Sequence, residues 1–361
     1  MPKIHRPRRL IGAFASAFAV ASLGLAVLTT SGAFAGQTLT FAGWGGAGEN
    51  ALVPAYFTPF ASATGINVTP SGPIDYEKIV QMVKAHSVSW DVVQIDPDFG
   101  FVNSPYLEKL NCKEIDCKNL TVGGLRTYPD AVPLETFSTV LTYSTTAFPK
   151  SPPQTWADFY NFKKYPGKRA IMDNLGGGGN GTIEEALVAS GVSPKKLYPL
   201  NVTRALNEIE KLRKAGDVVF YQTNQQCEDL ISSGEAVMGN CLNGDAAVSK
   251  SQGAKLGWSW DQQFLFADYV AIPKGDPNSA AAMKLIAYMT SKQHNAAYAS
   301  QIAYGPTNSL SLAAAAHSKY AADLPSLHSL KGANAPIVWD GDWWFQHENS
   351  LNKKWLAFTS S

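Results

Sequence analysis

Residues 37–95 read QTLTFAGWGGAGENALVPAYFTPFASATGINVTPSGPIDYEKIVQMVKAHSVSWDVVQI, and their pattern decides the fold. Residues 37–42 alternate apolar and polar side chains and then enter Gly43, Gly45 and Gly46. That is a strand leaving into a loop. Over residues 49–64, Leu52, Tyr56, Phe57 and Phe60 fall at roughly helical spacing, and Gly65 stops the run. Residues 66–69 read as a second strand. Residues 75–85 read as a helix with Ile79, Met82 and Val83 on one face, and residues 90–95 as a short, mostly apolar strand. Strand, helix, strand, helix, strand predicts a parallel α/β sheet.

The alternation repeats further on. Residues 168–172 are strand-like. Residues 203–215 form a charged amphipathic helix closed by Gly216, and 227–233 a helix closed by Gly234. Residues 236–241 and 267–272 read as strands, and 279–300 as an Ala-rich helix. Pro149, Pro152 and Pro153 mark a loop that could carry the chain between lobes. A chain of 361 residues exceeds what one compact core usually holds, so two lobes are expected.

The N-terminus carries Lys3, Arg6, Arg8 and Arg9, an apolar run over 10–28, and then Ala33-Phe34-Ala35. This is the layout of an export signal cut after Ala35. An uncleaved anchor is the alternative, since the run is nearly long enough to span a bilayer. Removing residues 1–35 leaves 326 residues with 26 Lys and Arg against 29 Asp and Glu, a formal charge of −3. So small a charge argues against nucleic acid as a partner. Export places the product in a periplasm-like compartment, where disulfides persist. Cys112, Cys117, Cys227 and Cys241 allow three pairings. The local ones, Cys112 with Cys117 and Cys227 with Cys241, are favoured. No metal site is expected, because no tight Cys-x-x-Cys or His spacing occurs.

In open parallel sheets, ligands sit beyond the carboxyl ends of the strands. Those positions hold Trp44, residues 96–99, 173–180 and 242–245, and Phe266 to Asp268. They combine aromatics and carboxylates and include no basic residue. Such a set suits a small organic cation.

The stretches "TGINV", "WDVVQIDPDF", "PQTWADF", "SSGEAVMGNCLNGDAAV", "FLFADYVAIPKGDPN" and "IAYGPTN", in this order, resemble the periplasmic solute-binding proteins of ABC importers. The resemblance is to the spermidine/putrescine-binding branch and covers essentially the whole mature chain. It implies a type II two-lobed periplasmic binding protein fold, α/β, each lobe a mostly parallel sheet flanked by helices. Ligand binds in the cleft between the lobes. It implies 36–142 with 269–323 as lobe 1, and 143–268 with 324–361 as lobe 2. It further implies a monomer that needs no cofactor, is not an enzyme, and hands a cationic or zwitterionic solute to an inner-membrane permease. By the resemblance, Asp268 is the main amine-binding carboxylate and Phe266 the aromatic before it. Trp44, Asp98, Phe99 and Tyr304 fall in the ligand-binding stretches, and Asp245 and Asp173 are candidate second anchors.

Other residues depart from the polyamine pattern. Leu242 stands where polyamine binders usually carry tryptophan. Asp173 leads into Asn174-Leu175 and then Gly176 to Gly179, where a second acid would be expected. A solute with one amine, or with an amine and an acid, is therefore an alternative. The glycine run could offer backbone N–H groups to the acid, as in an opine, phosphonate or amino-acid-like solute. It could equally be a loop needing unusual backbone angles. Asp245 could simply cap a helix beginning at Ala246. The cluster Trp339-Asp340-Gly341-Asp342-Trp343-Trp344 is read mainly as packing for the last helix, with one or two rings reaching ligand. A secreted glycan hydrolase is the rival of another class, since carboxylate pairs serve glycosidases. No Gly-x-Ser-x-Gly or His-Glu-x-x-His motif supports other hydrolytic chemistry.

Overall fold

The computed structural model describes residues 36–328 and 332–360. The signal-peptide reading falls on residues 1–35 and lies outside them. Among the described residues ten strands form the sheet: β1 Thr38–Ala42, β2 Asn67–Pro70, β3 Val92–Ile95, β4 Val132–Ser144, β5 Arg169–Met172, β6 Val218–Tyr221, β7 Met238–Leu242, β8 Leu256–Ala271, β9 Gly305–Pro306 and β10 Ile337–Val338. Their order is β2-β1-β3-β8-β4-β7-β5-β6, with β10 on β8 and β9 on β4. The outer strands run parallel, β1 with β2 and β3, and β5 with β6 and β7. Between these two groups lie β4 and β8, antiparallel to each other along most of their length.

These two strands join the halves. β8 pairs with β3 through Tyr269, Val270 and Ala271, at its end. β4 pairs with β7 from Thr139 onward. Each therefore belongs to one parallel group at one end and faces the other group at the other. The hydrophobic interior divides accordingly. Val132, Leu134 and Val270 pack with Leu39, Tyr56 and Leu285. Leu141, Phe264 and Phe266 pack with Ile171, Ile183 and Trp344. The two largest cores, one on each parallel group and sharing the crossing strands, are the two-lobed architecture that the sequence implied.

The crossing itself differs from the reading of Pro149 to Pro153. That loop follows β4, and its neighbour Gln154 accepts from Ser259 Oγ through its carbonyl at 2.7 Å. The chain crosses inside a strand, not in a proline loop. β4 escaped the sequence reading because Glu135, Thr136, Ser138, Thr139 and Thr142 are all buried. With polar residues inward, no alternation remains to be seen. β8 begins eleven residues before the expected 267, for a related reason: Gln263 and Asp268 are buried polar residues within it. The helix expected over 279–300 ends at Thr290.

The helix expected over 49–64 exists as two, Gly46–Leu52 and Thr58–Thr64, joined by a wide π-helical turn at Val53–Phe57. Pro54 lies in that turn; it lacks an N–H and its ring needs room in the preceding turn. Gly65 ends the segment at φ 75°, a left-handed conformation that glycine adopts without strain. Asp75 caps the Tyr76–Lys84 helix, accepting from the Lys78 N–H at 3.1 Å.

Both expected disulfides are present, Cys112–Cys117 and Cys227–Cys241. The second ties the Asn224–Ser232 helix to β7. The C-terminal tryptophans pack, as read. Trp344 and Trp355 are buried, and the Trp344 indole donates to Glu184 at 2.8 Å. Trp339 packs on Phe266 with ring centres 5.5 Å apart. Among the described residues no helix is long and apolar enough to cross a membrane.

Candidate functional site

A cleft of about 790 Å³ opens at the strand ends between the two parallel groups. Of the residues singled out from sequence, Trp44, Asp98, Asp245, Phe266, Asp268 and Tyr304 line it. Phe99 and Asp173 do not, and both readings are corrected. Phe99 packs edge-on behind Tyr76, ring centres 5.1 Å apart, and Tyr76 is the ring that faces the cleft. Asp173 accepts from the Trp355 indole at 3.2 Å, so it pins the C-terminal helix. Its neighbour Asn174 reaches the cleft instead.

One wall, called here the near wall, is built on β3, β4 and β8. Gln94 and Asp268 lie on adjacent antiparallel strands, and Glu135 of β4 is directly opposite Asp268 in register. All three are buried. The Gln94 amide donates to Glu135 Oε1 at 2.5 Å and to Asp268 Oδ2 at 2.7 Å. Asp96, just past β3, also lines the cleft, and its N–H donates to the Tyr76 hydroxyl at 2.9 Å. Tyr76 in turn donates to Asp98 at 3.3 Å.

Three carboxyl groups thus meet in a buried place, and among the described residues no Lys, Arg or His lines the cleft. Burial, then repulsion from Asp268, pushes Asp96 and Glu135 well above the usual carboxylate range. Burial raises Asp268 too, but hydrogen bonds from Asp96, Glu135, Gln94 and Trp44 oppose the rise. Of the three, Asp268 is the acid whose charged form its neighbours favour most, whereas Asp96 and Glu135 are driven toward their neutral forms. An anion so placed lacks only a counter-charge, which an ammonium group can supply.

Aromatic rings frame this anion. Trp44 is 43% exposed and leans on Tyr76, ring centres 6.1 Å apart. Phe266 stacks on Phe137 at 5.2 Å, and Phe137 on Tyr304 at 5.3 Å. Gly244 lets Tyr304 approach, because a Cβ there would lie 2.5 Å from the ring.

The opposite, or far, wall carries Asn174, Asn180, Gln222, Thr223, Asn224, Leu242 and Asp245. Apart from Asp245 it is neutral, and rich in amides. Asn180 donates to Asn224 Oδ1 at 3.1 Å and to the Tyr221 hydroxyl at 3.2 Å. Asp245 does not cap a helix at Ala246. The helix is Asn243–Ser251, and Asp245 sits in its first turn, where the N-terminal partial charge suits an acid. Burial raises its pKa.

The glycine run is a tight turn, Gly176–Gly181, leading into the Thr182–Ala189 helix. Its flanking residues Asn174 and Asn180 line the cleft. Glu184 and Glu185 already occupy the first turn of that helix. A solute acid at this helix start would share it with those two glutamates, and the amide side chains of Asn174 and Asn180 stand beside the turn.

The sequence missed Gln94, Glu135, Tyr76, Phe137 and the 222–224 turn. Gln94 had a signal: a polar residue inside an apolar strand, which demands a partner.

Comparison with known proteins agrees with this geometry. Residues 55–325 match the family described as bacterial extracellular solute-binding protein. A gamma-aminobutyric acid-binding protein of Pseudomonas aeruginosa is 31% identical over 334 residues, covering 90% of this chain and 91% of that one. A spermidine/putrescine-binding periplasmic protein of Haemophilus influenzae is 26% identical over 249 residues, covering 65% and 66%. The solved structure of the Atu4243 GABA receptor superposes with a TM-score of 0.78 at 33% identity, covering 89% of this chain and 97% of that one. The chain belongs to the bacterial extracellular solute-binding proteins.

Proposed function

We propose that this periplasmic ABC solute-binding protein captures a small ω-amino acid, of the 4-aminobutyrate type, and delivers it to its permease. The carrying observation is the opposition of the two walls. Asp268, buried among hydrogen-bond donors, awaits an ammonium. Across the cleft, Asn174, Gln222 and Asn224 present neutral amides that can donate to a carboxylate, and Asn180 steadies Asn224 by donating to its Oδ1. The names of the Pseudomonas aeruginosa relative and of the Atu4243 receptor support the same class. Trp44 and Tyr76 supply ring faces for the ammonium. Lobe 1 is assigned as 36–142 with 269–323, and lobe 2 as 143–268 with 324–361. Closure of the lobes on solute would be a population shift toward the form the permease reads.

A second reading is a diamine such as putrescine, with Asp245 taking the far ammonium. It is favoured by one observation, a carboxylate on the far wall.

Calorimetric titration of solute-free protein with 4-aminobutyrate, putrescine and spermidine separates the two. Tight binding of 4-aminobutyrate with weak diamine binding is expected. The reverse order would transfer the assignment to the diamine, and silence from all three would withdraw the amine class.

A further inference from the structure

Behind the far wall lies an acid that the binding scheme does not use. Glu228 is on the Asn224–Ser232 helix and is wholly inaccessible to solvent. Neither of its carboxyl oxygens has a hydrogen-bond partner. Its helix begins at the cleft, with Thr223 and Asn224 in the lining, and packs against the Asn243–Ser251 helix that carries Asp245.

The surroundings of Glu228 are acidic and phenolic. Asp245 acts on it from the neighbouring helix and Asp229 from its own. Tyr221 of β6 and Tyr304 also feel its charge. The cations on adjoining elements are engaged elsewhere. Lys250 lies over the Trp258 ring at 4.6 Å, and Arg169 of β5 donates to the carbonyls of Phe159, Gly167 and Tyr165. Only its own backbone N–H favours the charged form. A carboxylate with no side-chain donor and no counter-charge is strongly disfavoured in such a place, whereas a neutral acid is tolerable.

We infer that Glu228 determines specificity at the far wall: uncharged, it lets that wall accept the acid end of the solute, and ionised, it makes the wall a second ammonium site. The inference rests on the reading that Asp268 holds the first ammonium. Burial, followed by repulsion from Asp245, pushes Glu228 up to about 9, in keeping with the neutral form at pH 7. Raising the pH toward that value adds a negative charge behind Asp245. A solute carboxylate then meets repulsion, and a second ammonium meets a pair of acids. Solute preference should therefore turn over with pH.

The test measures affinities for 4-aminobutyrate and putrescine from pH about 7 to about 9, in the mature protein and in Glu228→Gln. In the wild type the putrescine-to-4-aminobutyrate affinity ratio should rise about tenfold or more, the change equivalent to one unit of pKa displacement. In the glutamine variant the ratio should stay flat. Titration of the solutes' own amines is common to both proteins and cancels. Parallel profiles in the two proteins would overturn the inference. A ligand-free measurement decides independently. The infrared difference between wild type and variant at pH 7 should show the carbonyl band of a protonated carboxylic acid; a carboxylate band in its place overturns the inference. If neither solute binds, the proposed function fails, and the infrared result still decides the state of Glu228.

Discussion

The two walls of the cleft are built from different material. The near wall stands on the middle of the sheet, where Gln94, Glu135 and Asp268 come from three neighbouring strands. Strand register fixes their spacing, and one amide serves two acids. The far wall stands on the ends of helices and on turns, at 174–180, 222–224 and 242–245. Its cleft acid, Asp245, has behind it a second acid with no hydrogen-bond partner. The contrast suggests a division of labour. A sheet-borne anion recognises what every candidate solute has, an ammonium. A helix-borne wall, whose charge can change, decides what the other end must be.

Four experiments would break or sharpen this contrast. Replacing Cys227 and Cys241 together by alanine should have the largest effect, since their bridge ties the far-wall helix to β7. A loop of this length predicts a loss of about 3 kcal/mol, read from chemical denaturation. A negligible loss would mean that the far wall is held as firmly as the near one.

Asp268→Asn should weaken amine solutes by about 1.5–3 kcal/mol, read by calorimetry. Unchanged affinity would remove the near wall's anion from the site.

Stability should fall as pH rises from about 5 to about 9. Burial raises Glu184 to about 7, and Glu228 higher still, from ordinary glutamate values of 4.5. Between those limits the native state holds protons that the unfolded chain has lost. The stability present at low pH therefore drains away as pH climbs through each folded value, at up to about 1.4 kcal/mol per pH unit for each group. Thermal melts of Glu228→Gln should show a shallower decline. An identical decline would assign the dependence to Glu184 or to Asp96 and Glu135 of the near wall.

Asn224→Ala should have the smallest effect, about 0.5–1.5 kcal/mol on 4-aminobutyrate and less on putrescine. Equal losses on both would deny the amides a role in holding an acid.

Most of the outer strands were legible in the sequence, although the edge strand β6 was not read, and the long central strand β4 was missed. β1, β3 and β5 carry apolar residues in a simple order, so their pattern is visible. β4 inverts that order, with Glu135, Thr136 and Ser138 buried, Glu135 accepting from Gln94 and Ser138 donating to Gln263. Such residues look like a loop until their partners are known. The same holds for the site. Trp44, Phe266 and Asp268 could be named because they follow or end strands. Glu135 needed Gln94, which lies 41 residues away in sequence, and only the register brings them together. Asp173 misled because an aspartate before glycines looks available, while its partner Trp355 is 182 residues distant. Glu228 offered no sign at all, since an acid on a helix is ordinarily exposed.

The composition of the cleft lining bears on speed as well as strength. Its carboxyl side chains include Asp98, Asp245 and Asp268, and among the described residues no basic side chain in the lining balances them. Field lines converge in such a concavity, so a solute carrying net positive charge is drawn in faster than a zwitterion of equal affinity. The zwitterion feels mainly a torque, which turns its ammonium inward on approach. Added salt should therefore slow capture of putrescine much more than capture of 4-aminobutyrate, while escape of either is little changed. In dilute surroundings the faster visitor would reach the cleft first, even where the slower one is the better guest.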